Sequence, residues 1–212
     1  MEETTVTVES VREVGPDTVA ITLEAPEGFD ALPGHFVLLT AAPDGEEITR
    51  HYTLSSPSVT DSFEITVGID PDGDLSPWLA DLEGGETVEI EGPMGAITYE
   101  RDEDVVAVAG GPGIGPAVSV AEAATEAGHD AAVVYRDDEP AHVDRLERLE
   151  DAGVTVTVLE EEADEELADA IESHVEDGQL YVFGFESFVT SVTDAIADAG
   201  GDPEEAAVEN FG

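Results

Sequence analysis

The sequence contains no cysteine and no lysine, and both absences limit what the protein can be. Without cysteine, its 212 residues form no disulfide, no thiolate zinc site, no cysteine-ligated iron–sulfur cluster and no cysteine nucleophile. Without lysine, the permanent cations are six arginines, which stand against 52 aspartates and glutamates and leave a formal net charge of −46.

The acidic residues occur along the whole chain, which is typical of adaptation to a very salty medium. A local acidic surface for a basic partner is the alternative explanation. At molar salt the screening length falls to about 3 Å, which removes most of the self-repulsion of the folded state. We therefore expect a protein from a salt-adapted organism that binds no nucleic acid.

Nothing in the sequence predicts export or membrane insertion. The first ten residues have neither the basic region nor the apolar run of a signal peptide. The longest uncharged stretch, from Val105 to Ala121, contains four glycines and two prolines and is too short to span a bilayer comfortably. We expect a soluble, cytoplasmic protein.

The two halves of the chain have different hydrophobic periods. Residues 1–100 contain segments with a period of two, as where Val19, Ile21 and Leu23 fall on one face and Thr18, Ala20 and Thr22 on the other, and Asp-Gly turns separate the segments. This pattern predicts an antiparallel barrel or sandwich of about six strands, with a short helix near residues 75–82. Residues 101–212 alternate continuous apolar runs with helical patterns, which predicts a second domain with a parallel sheet.

A glycine-rich turn, "GGPGIGP" at 110–116, follows the first apolar run of the second half. Glycines admit a phosphate close to the backbone, and a helix N-terminus offers free N–H groups. A tight turn without a ligand explains the same residues, and Gly-x-Gly-x-x-Pro departs from the usual dinucleotide fingerprint. Arg136 follows the next strand, where it can meet a 2′-phosphate or pair with surface carboxylates.

Two stretches of the first half also suit a phosphate. In "GDLSPWL" at 73–79, Ser76 either helps to hold a phosphate at a helix start or caps the helix. "RHYTLSS" at 50–56 combines a cation, an aromatic ring and hydroxyls in a run without acids. The guanidinium of Arg50 can fork onto a phosphate, or it can pair with acids as an ordinary strand arginine.

In this order, the motifs resemble those of the ferredoxin–NADP reductase superfamily. "RHYTLSS" is similar to its Arg-x-Tyr-Ser/Thr flavin signature, and the ordered set also includes "PGHFVLL" at 33–39, "EGPMG" at 91–95, "VYR" at 134–136, "YVFG" at 181–184 and "ENFG" at 209–212. Each motif is modest alone, but the set spans nearly the whole chain. The resemblance implies an N-terminal antiparallel Greek-key β-barrel that binds FAD over residues 1–100. A five-stranded parallel Rossmann-like α/β domain that binds a nicotinamide dinucleotide would follow over residues 101–212.

The resemblance also implies roles for individual residues. Arg50 would hold the FAD pyrophosphate, Tyr52 would pack beside the flavin and ribityl chain, and Thr53 would donate toward flavin N5. His51 would touch the FAD phosphate or ribose. The other implied cofactor-binding residues are Gly73, Leu75 and Ser76 at the pyrophosphate; Gly111, Pro112, Gly113, Ile114, Gly115 and Arg136 at the dinucleotide; Phe183 and Gly184 at the nicotinamide; and Glu209 and Phe211 near the flavin ring.

Two departures from the family pattern affect the expected function. Phe183 replaces the cysteine of the usual Cys-Gly-Pro, and no cysteine-rich iron–sulfur segment is present. The resemblance implies an FAD-dependent NAD(P)H oxidoreductase that exchanges electrons with a ferredoxin, another one-electron carrier or a partner subunit. The alternatives are an FAD-binding electron-transfer or regulatory subunit with weak nicotinamide use, and an apo-fold that serves only as an interaction module. We assign no catalytic acid or base. His129, His142 and His174 lack metal-ligand spacing, and we expect them to be surface or hydrogen-bonded residues.

Overall fold

The computed structural model describes residues 3–43 and 45–211, which build two sheets of different kinds. Met1, Glu2, the turn residue Asp44 and Gly212 of the terminal motif lie outside the described residues. The elements of the first half are β1 (Thr4–Gly15), β2 (Thr18–Glu24), β3 (Phe36–Ala41), β4 (Ile48–Thr53), β5 (Ser62–Gly68), α1 (Ser76–Ala80) and β6 (Thr87–Met94). Those of the second half are β7 (Val105–Gly110), a 3-10 turn (Gly111–Gly113), α2 (Ile114–Ala127), β8 (Ala131–Arg136), α3 (Val143–Asp151), β9 (Thr155–Leu159), α4 (Asp164–His174), β10 (Gln179–Gly184), α5 (Glu186–Asp198) and β11 (Ala207–Asn210).

The first six strands form one antiparallel sheet in the order β4-β3-β6-β1-β2-β5. An antiparallel bridge between Leu54 and Ile65 joins the two edges, so the sheet curls into a barrel. The alternating residues predicted for one face, Val19, Ile21 and Leu23, are at most 4% exposed and point into the barrel core. The period-two pattern therefore predicted this core correctly.

The five remaining strands form a parallel sheet in the order β11-β10-β7-β8-β9. The central strand β7 is buried along its whole length, as its continuous apolar run predicts. One apolar cluster includes α2 and α3, and a second includes α4 and α5, so the sheet has a core on each face. This confirms the predicted antiparallel barrel followed by a five-stranded parallel α/β sheet.

The first helix is shorter than predicted. It covers Ser76–Ala80 rather than residues 75–82, because its C-terminal end tightens into 3-10 geometry. The N–H groups of Asp81 and Leu82 donate to the carbonyls of Trp78 and Leu79, at 3.2 and 3.4 Å.

The barrel and the parallel sheet meet across a buried charge network, made of Ser55, Glu64, Glu122 and Arg145. Arg145 on α3 is 6% exposed. Its guanidinium donates to both oxygens of Glu122 at 2.9 and 2.6 Å, to Glu64 of β5 at 3.2 Å and to the Ser55 carbonyl at 2.8 Å. The network holds Ser55, in the "RHYTLSS" stretch of the barrel, against the second half of the chain.

Candidate functional site

Arg50 is an exposed residue of β4 that has no carboxylate partner in the described part of the chain. Its guanidinium donates to the neighbouring Thr49 carbonyl at 2.9 Å. The other five arginines form salt bridges with carboxylates at 2.6–3.3 Å. The alternative prediction, a strand arginine that pairs with acids, therefore does not describe Arg50.

The residues after Arg50 turn from solvent toward the second half of the molecule. His51 is exposed, and its ring meets Phe36 edge to face at a centroid distance of 5.1 Å. Tyr52 is half-buried, and burial raises the pKa of its phenol to about 12 against the opposing charge of Arg50. The phenol is therefore protonated at neutral pH and available as a donor. Thr53 ends the strand in a buried position.

Thr53 and Glu209 connect the barrel to the last strand of the parallel sheet. The Thr53 hydroxyl donates to Oε1 of Glu209 at 2.7 Å. Burial raises the pKa of the Glu209 carboxyl, and the Thr53 hydrogen bond opposes this shift. Oε2 of Glu209 is buried and has no hydrogen-bond partner among the described residues. Because an unpaired buried acceptor is costly, this oxygen is suited to accept a hydrogen bond from a ligand.

Three aromatic residues, Phe183, Phe185 and Phe211, occur at the carboxyl ends of β10 and β11, where Glu209 also lies. Phe183 lies beside Glu209 in the strand register, but its side chain is fully buried and stacks on Tyr181. Phe185, two residues later, is 51% exposed. Its ring meets Phe211 edge to face at 6.0 Å, and the Phe211 N–H donates to the Gly184 carbonyl at 2.9 Å. The side chain that this edge presents to solvent is therefore Phe185, and not Phe183.

The glycines of the predicted phosphate turn have different structural roles. Gly111 has a left-handed φ of +56°, and a Cβ added there would meet no atom within 4 Å. Gly113 packs against the Phe183 carbonyl, with no room for a Cβ. Gly115 lies against Thr66 of the barrel, whose Cβ would be 2.6 Å from an added Cβ. Gly111 and Pro112 are therefore the half-exposed part of the turn, whereas Gly113, Gly115 and the Ile114 between them are buried.

The loop between β5 and α1 carries the second predicted phosphate site. The Ser76 hydroxyl accepts a hydrogen bond from the Asp70 N–H at 3.0 Å, so it fixes this loop and does not cap the helix. Leu75 is buried, and Gly73 is half-exposed. Leu54, just after β4, pairs antiparallel with Ile65 of β5. In an antiparallel pair, the residues before Leu54 lie alongside the residues after Ile65, so Arg50 lies on the side of the barrel where β5 runs into this loop.

Arg136, the last residue of β8, lies opposite Gly110 in the sheet register. Its Nη1 donates to Oδ1 of Asp164 at 2.8 Å, and its guanidinium lies 5.0 Å from the centroid of the Phe188 ring. The side chain is 13% exposed. Of the two roles open for Arg136, the structure records the pair with a surface carboxylate.

The histidines required one correction. His129 and His174 are partly exposed and pair with Asp104 and Asp177, as expected. Both line a cavity of about 340 Å³ at the amino-terminal ends of the parallel strands. His142 is fully buried, and its Nδ1 has no partner among the residues that the structure describes. Its Nε2 lies 2.8 Å from the Thr66 hydroxyl. A surface position was therefore wrong for His142, because the chain before α3 folds against the barrel, whereas the contact of Nε2 with Thr66 agrees with the expectation of a hydrogen-bonded residue.

The sequence analysis missed the residues that hold the two halves together. Arg145, Glu64 and Glu122 look like other charged residues in a chain with 52 acids, and only their burial distinguishes them. The one available signal was the amphipathic pattern of α3, whose buried face includes Arg145.

The described residues contain neither a candidate metal cluster nor a membrane-spanning helix. No cluster of three or more histidine, aspartate or glutamate side chains is arranged to hold a metal ion in residues 3–43 and 45–211. In the same ranges, no helix has the length and apolarity needed to cross a membrane.

Comparison with known families matches residues 5–99, the barrel, to the family described as "Oxidoreductase FAD-binding domain". The glycine betaine monooxygenase reductase subunit of Pseudomonas aeruginosa is 41% identical over 109 residues, which is 49% of this chain and 30% of that protein. The chain thus spans less than a third of the length of this relative.

Solved structures show the same two-part fold along the whole chain. The flavohem-like FAD/NAD-binding domain of nitric oxide dioxygenase from Vibrio cholerae has a TM-score of 0.86 at 23% identity, covering 98% of both chains. A ferredoxin NADP+ reductase from Neisseria gonorrhoeae, solved with bound FAD and NADP, has a TM-score of 0.82 at 20% identity, covering 100% of both chains. The fold is therefore that of the ferredoxin–NADP reductase type.

Proposed function

We propose that the protein is an FAD-dependent NAD(P)H oxidoreductase that passes electrons between a nicotinamide dinucleotide and a ferredoxin or another one-electron carrier. The observation that carries the proposal is the guanidinium of Arg50, which has no carboxylate partner among the described residues, on the strand that also carries Thr53 of the Thr53–Glu209 pair, in a barrel that matches an FAD-binding family. In a chain with 52 acids, a permanent cation without a carboxylate partner among the described residues suits an anionic ligand.

The residues at the site fit a flavin nucleotide in two respects. Arg50 supplies a bidentate donor for a pyrophosphate, and the buried Oε2 of Glu209 supplies an acceptor for a hydroxyl or ring N–H. Tyr52 offers a half-buried ring face and a protonated phenol between these two groups in sequence. The barrel, residues 1–100, would hold FAD through Arg50, His51, Tyr52, Thr53, Gly73, Leu75 and Ser76.

The second half, residues 101–212, would bind the dinucleotide along the carboxyl edge of its parallel sheet. Gly111 and Pro112 are the half-exposed part of the glycine turn and would receive the pyrophosphate; Gly113, Ile114 and Gly115 would shape the turn from within. Gly184, Phe185 and Phe211 would form the nicotinamide side of the cleft, next to Glu209. When bound, FAD supplies the redox chemistry, by exchanging a hydride with the nicotinamide and single electrons with the carrier.

One observation favours a second function, an FAD-binding electron-transfer or regulatory subunit that uses nicotinamide weakly. Phe183 takes the place of the family cysteine and is fully buried in the core. The cysteine that the family resemblance implies near the nicotinamide therefore has no counterpart at this position.

The partner and the setting follow from the same proposal. Because the P. aeruginosa relative is a reductase subunit of an oxygenase, a separate electron carrier or partner subunit is the expected acceptor. The net charge of −46 supports a protein that works at molar salt, in the cytoplasm of a salt-adapted organism.

The test begins with the protein purified in molar potassium chloride and saturated with FAD. We expect a yellow protein, and we expect Arg50→Ala to weaken FAD retention during gel filtration by at least about tenfold, because it removes a charge-assisted phosphate contact. The matched control is Arg148→Ala, which removes an exposed arginine whose side chain is 66% accessible. Arg145 is unsuitable as a control, because it is buried in the charge network.

The outcomes separate the candidate functions. A colourless protein that takes up no added FAD would reject both flavin functions and leave an interaction module. A yellow protein whose colour is bleached anaerobically by NADH or NADPH supports the reductase. A yellow protein that neither dinucleotide bleaches supports the electron-transfer subunit. Equal FAD retention in the Arg50 and Arg148 variants would remove Arg50 from the site.

A further inference from the structure

The groups at the carboxyl ends of β8 and β9 bear on which dinucleotide the proposed function would use. In open parallel sheets of this type, the adenosine ribose of a dinucleotide lies near the end of the strand that follows the glycine turn. Here that strand is β8, which ends at Arg136. NADH and NADPH differ at this ribose, which carries either a 2′-hydroxyl or a 2′-phosphate.

Arg136 is the cation closest in sequence to this position, and its charge is already compensated. Its guanidinium donates to Asp164 of α4 at 2.8 Å and lies over the Phe188 ring at 5.0 Å. Because the side chain is only 13% exposed, most of the guanidinium is held by these protein groups. A 2′-phosphate would have to displace Asp164 before it could form a bidentate contact.

The surrounding charges oppose a phosphate further. Asp137, Asp138 and Glu139 follow Arg136 directly, and six of the seven residues from 160 to 166 are acidic. Four of the other arginines pair elsewhere, Arg12 and Arg145 with Glu64, Arg101 with Glu126 and Arg148 with Asp144, and Arg50 lies on the barrel. A 2′-phosphate that displaced Asp164 from Arg136 would therefore still face several other carboxylates.

Asp137 is positioned to favour the alternative ligand. Its Oδ2 accepts a hydrogen bond from the Tyr135 hydroxyl at 3.0 Å, and its Oδ1 accepts one from the Glu139 N–H at 2.8 Å. Each carboxylate oxygen has a second lone pair, so an oriented carboxylate still accepts a further hydrogen bond. An acid near the end of this strand is the group that receives a ribose 2′-hydroxyl in dinucleotide-binding sheets.

From this arrangement we infer that the protein selects NADH over NADPH, and that Asp164 is a specificity-determining residue because it occupies Arg136. The inference rests on the proposed function, since it concerns the dinucleotide of the same site. It assigns Asp164 no contact with the substrate: its effect acts through the availability of the Arg136 guanidinium.

The first test measures binding without any flavin chemistry. The protein in molar potassium chloride is titrated by calorimetry with 5′-AMP and with adenosine 2′,5′-bisphosphate, which differ only in the 2′-phosphate. We expect 5′-AMP to bind at least about tenfold more tightly, the equivalent of one unfavourable charge contact. Asp164→Asn should reduce this ratio several-fold by improving the bisphosphate alone.

The matched control is Glu126→Gln. It also removes an exposed carboxylate from an arginine pair, Arg101–Glu126 at 3.2 Å. Glu126 lies in the last turn of α2, away from the carboxyl end of β8. We expect this variant to keep the ratio of the unmodified protein. Equal binding of the two nucleotides, tighter binding of the bisphosphate, no binding of either, or the same ratio in both variants would each overturn the inference.

The second test uses the FAD-loaded protein and follows anaerobic bleaching by NADH and by NADPH. Half-saturation at a lower concentration of NADH than of NADPH supports the inference. So does a lower half-saturating concentration of NADPH in Asp164→Asn than in the unmodified protein. If NADPH and NADH bleach the flavin equally effectively, the proposed reductase function is supported and the inference of NADH selectivity is refuted. If neither dinucleotide bleaches the flavin, the reductase falls, and the nucleotide titration still decides the inference.

Discussion

Removal of Arg145 should destabilise the protein more than removal of any surface arginine. In Arg145→Ala, the carboxylates of Glu64 and Glu122 and the Ser55 carbonyl all lose their guanidinium partner. The carboxylate side chains are only 18% and 21% exposed, so water restores their hydration incompletely. Breaking a buried pair by removing one partner costs about 3–5 kcal/mol, and we expect a loss of unfolding free energy in that range.

The exposed pair Arg148–Asp144 on the same helix gives the comparison. Both of its side chains are more than 60% exposed, at 66% and 62%, and the residues are four apart on α3. Such pairs contribute about 0.3–0.5 kcal/mol in water and less in salt. Arg148→Ala should therefore change the free energy of unfolding by less than about 0.5 kcal/mol.

Urea is the suitable denaturant, because it leaves the ionic strength constant at molar potassium chloride. Far-ultraviolet circular dichroism would follow the helices of the second half, and the fluorescence of Trp78 would follow the barrel. Adding Glu122→Gln to Arg145→Ala should recover part of the loss, because it removes one uncompensated carboxylate. If Arg145→Ala costs less than about 1 kcal/mol, or no more than Arg148→Ala, the buried charge network does not stabilise the interface.

Two further predictions concern the same interface. Gly115→Ala should lower the unfolding free energy by about 1–3 kcal/mol in urea, because the new Cβ would be 2.6 Å from Thr66 Cβ; a gain from helix propensity would contradict this packing. Burial and the nearby Arg145 lower the pKa of His142 from 6.5 to about 3 in the folded protein. The unfolded chain therefore takes up this proton first, and stability should fall as pH drops from 6.5 toward 3, by up to about 1.4 kcal/mol per pH unit. The loss is measured relative to His142→Asn, and an equal slope in that variant would refute a neutral buried histidine.

The fold was predictable because each half of the chain has one dominant hydrophobic period. Val19, Ile21 and Leu23 alternate with the smaller Ala20 and the polar Thr22, and this period indicates a strand with one strongly apolar face. The run from Val105 to Ala109 is apolar throughout and predicts a strand covered on both faces. Both patterns lie within short segments of sequence, so each predicts its strand without knowledge of which elements cover its faces.

The interface was not predictable, because its signals are not local. Glu64 and Arg145 are 81 residues apart, and Thr66 and His142 are 76 residues apart. Nothing in the sequence around His142 indicates that its ring enters the barrel surface, since a lone histidine between Ala141 and Val143 suits an exposed loop equally well. Pairing across this distance depends on how the finished barrel presents β5, which periodicity does not encode.

The distribution of acids supports the candidate phosphate site more directly than the motif does. No acid occurs from Ile48 to Thr60 or from Val105 to Ala121, although a quarter of the chain is acidic, 52 of 212 residues. Burial explains the second stretch, because its strand and helix form the core. Burial does not explain the first, where Thr49, Arg50 and His51 are all exposed. An exposed strand end without acids, with a cation that no described carboxylate compensates, suits a bound pyrophosphate better than surface solvation alone explains it.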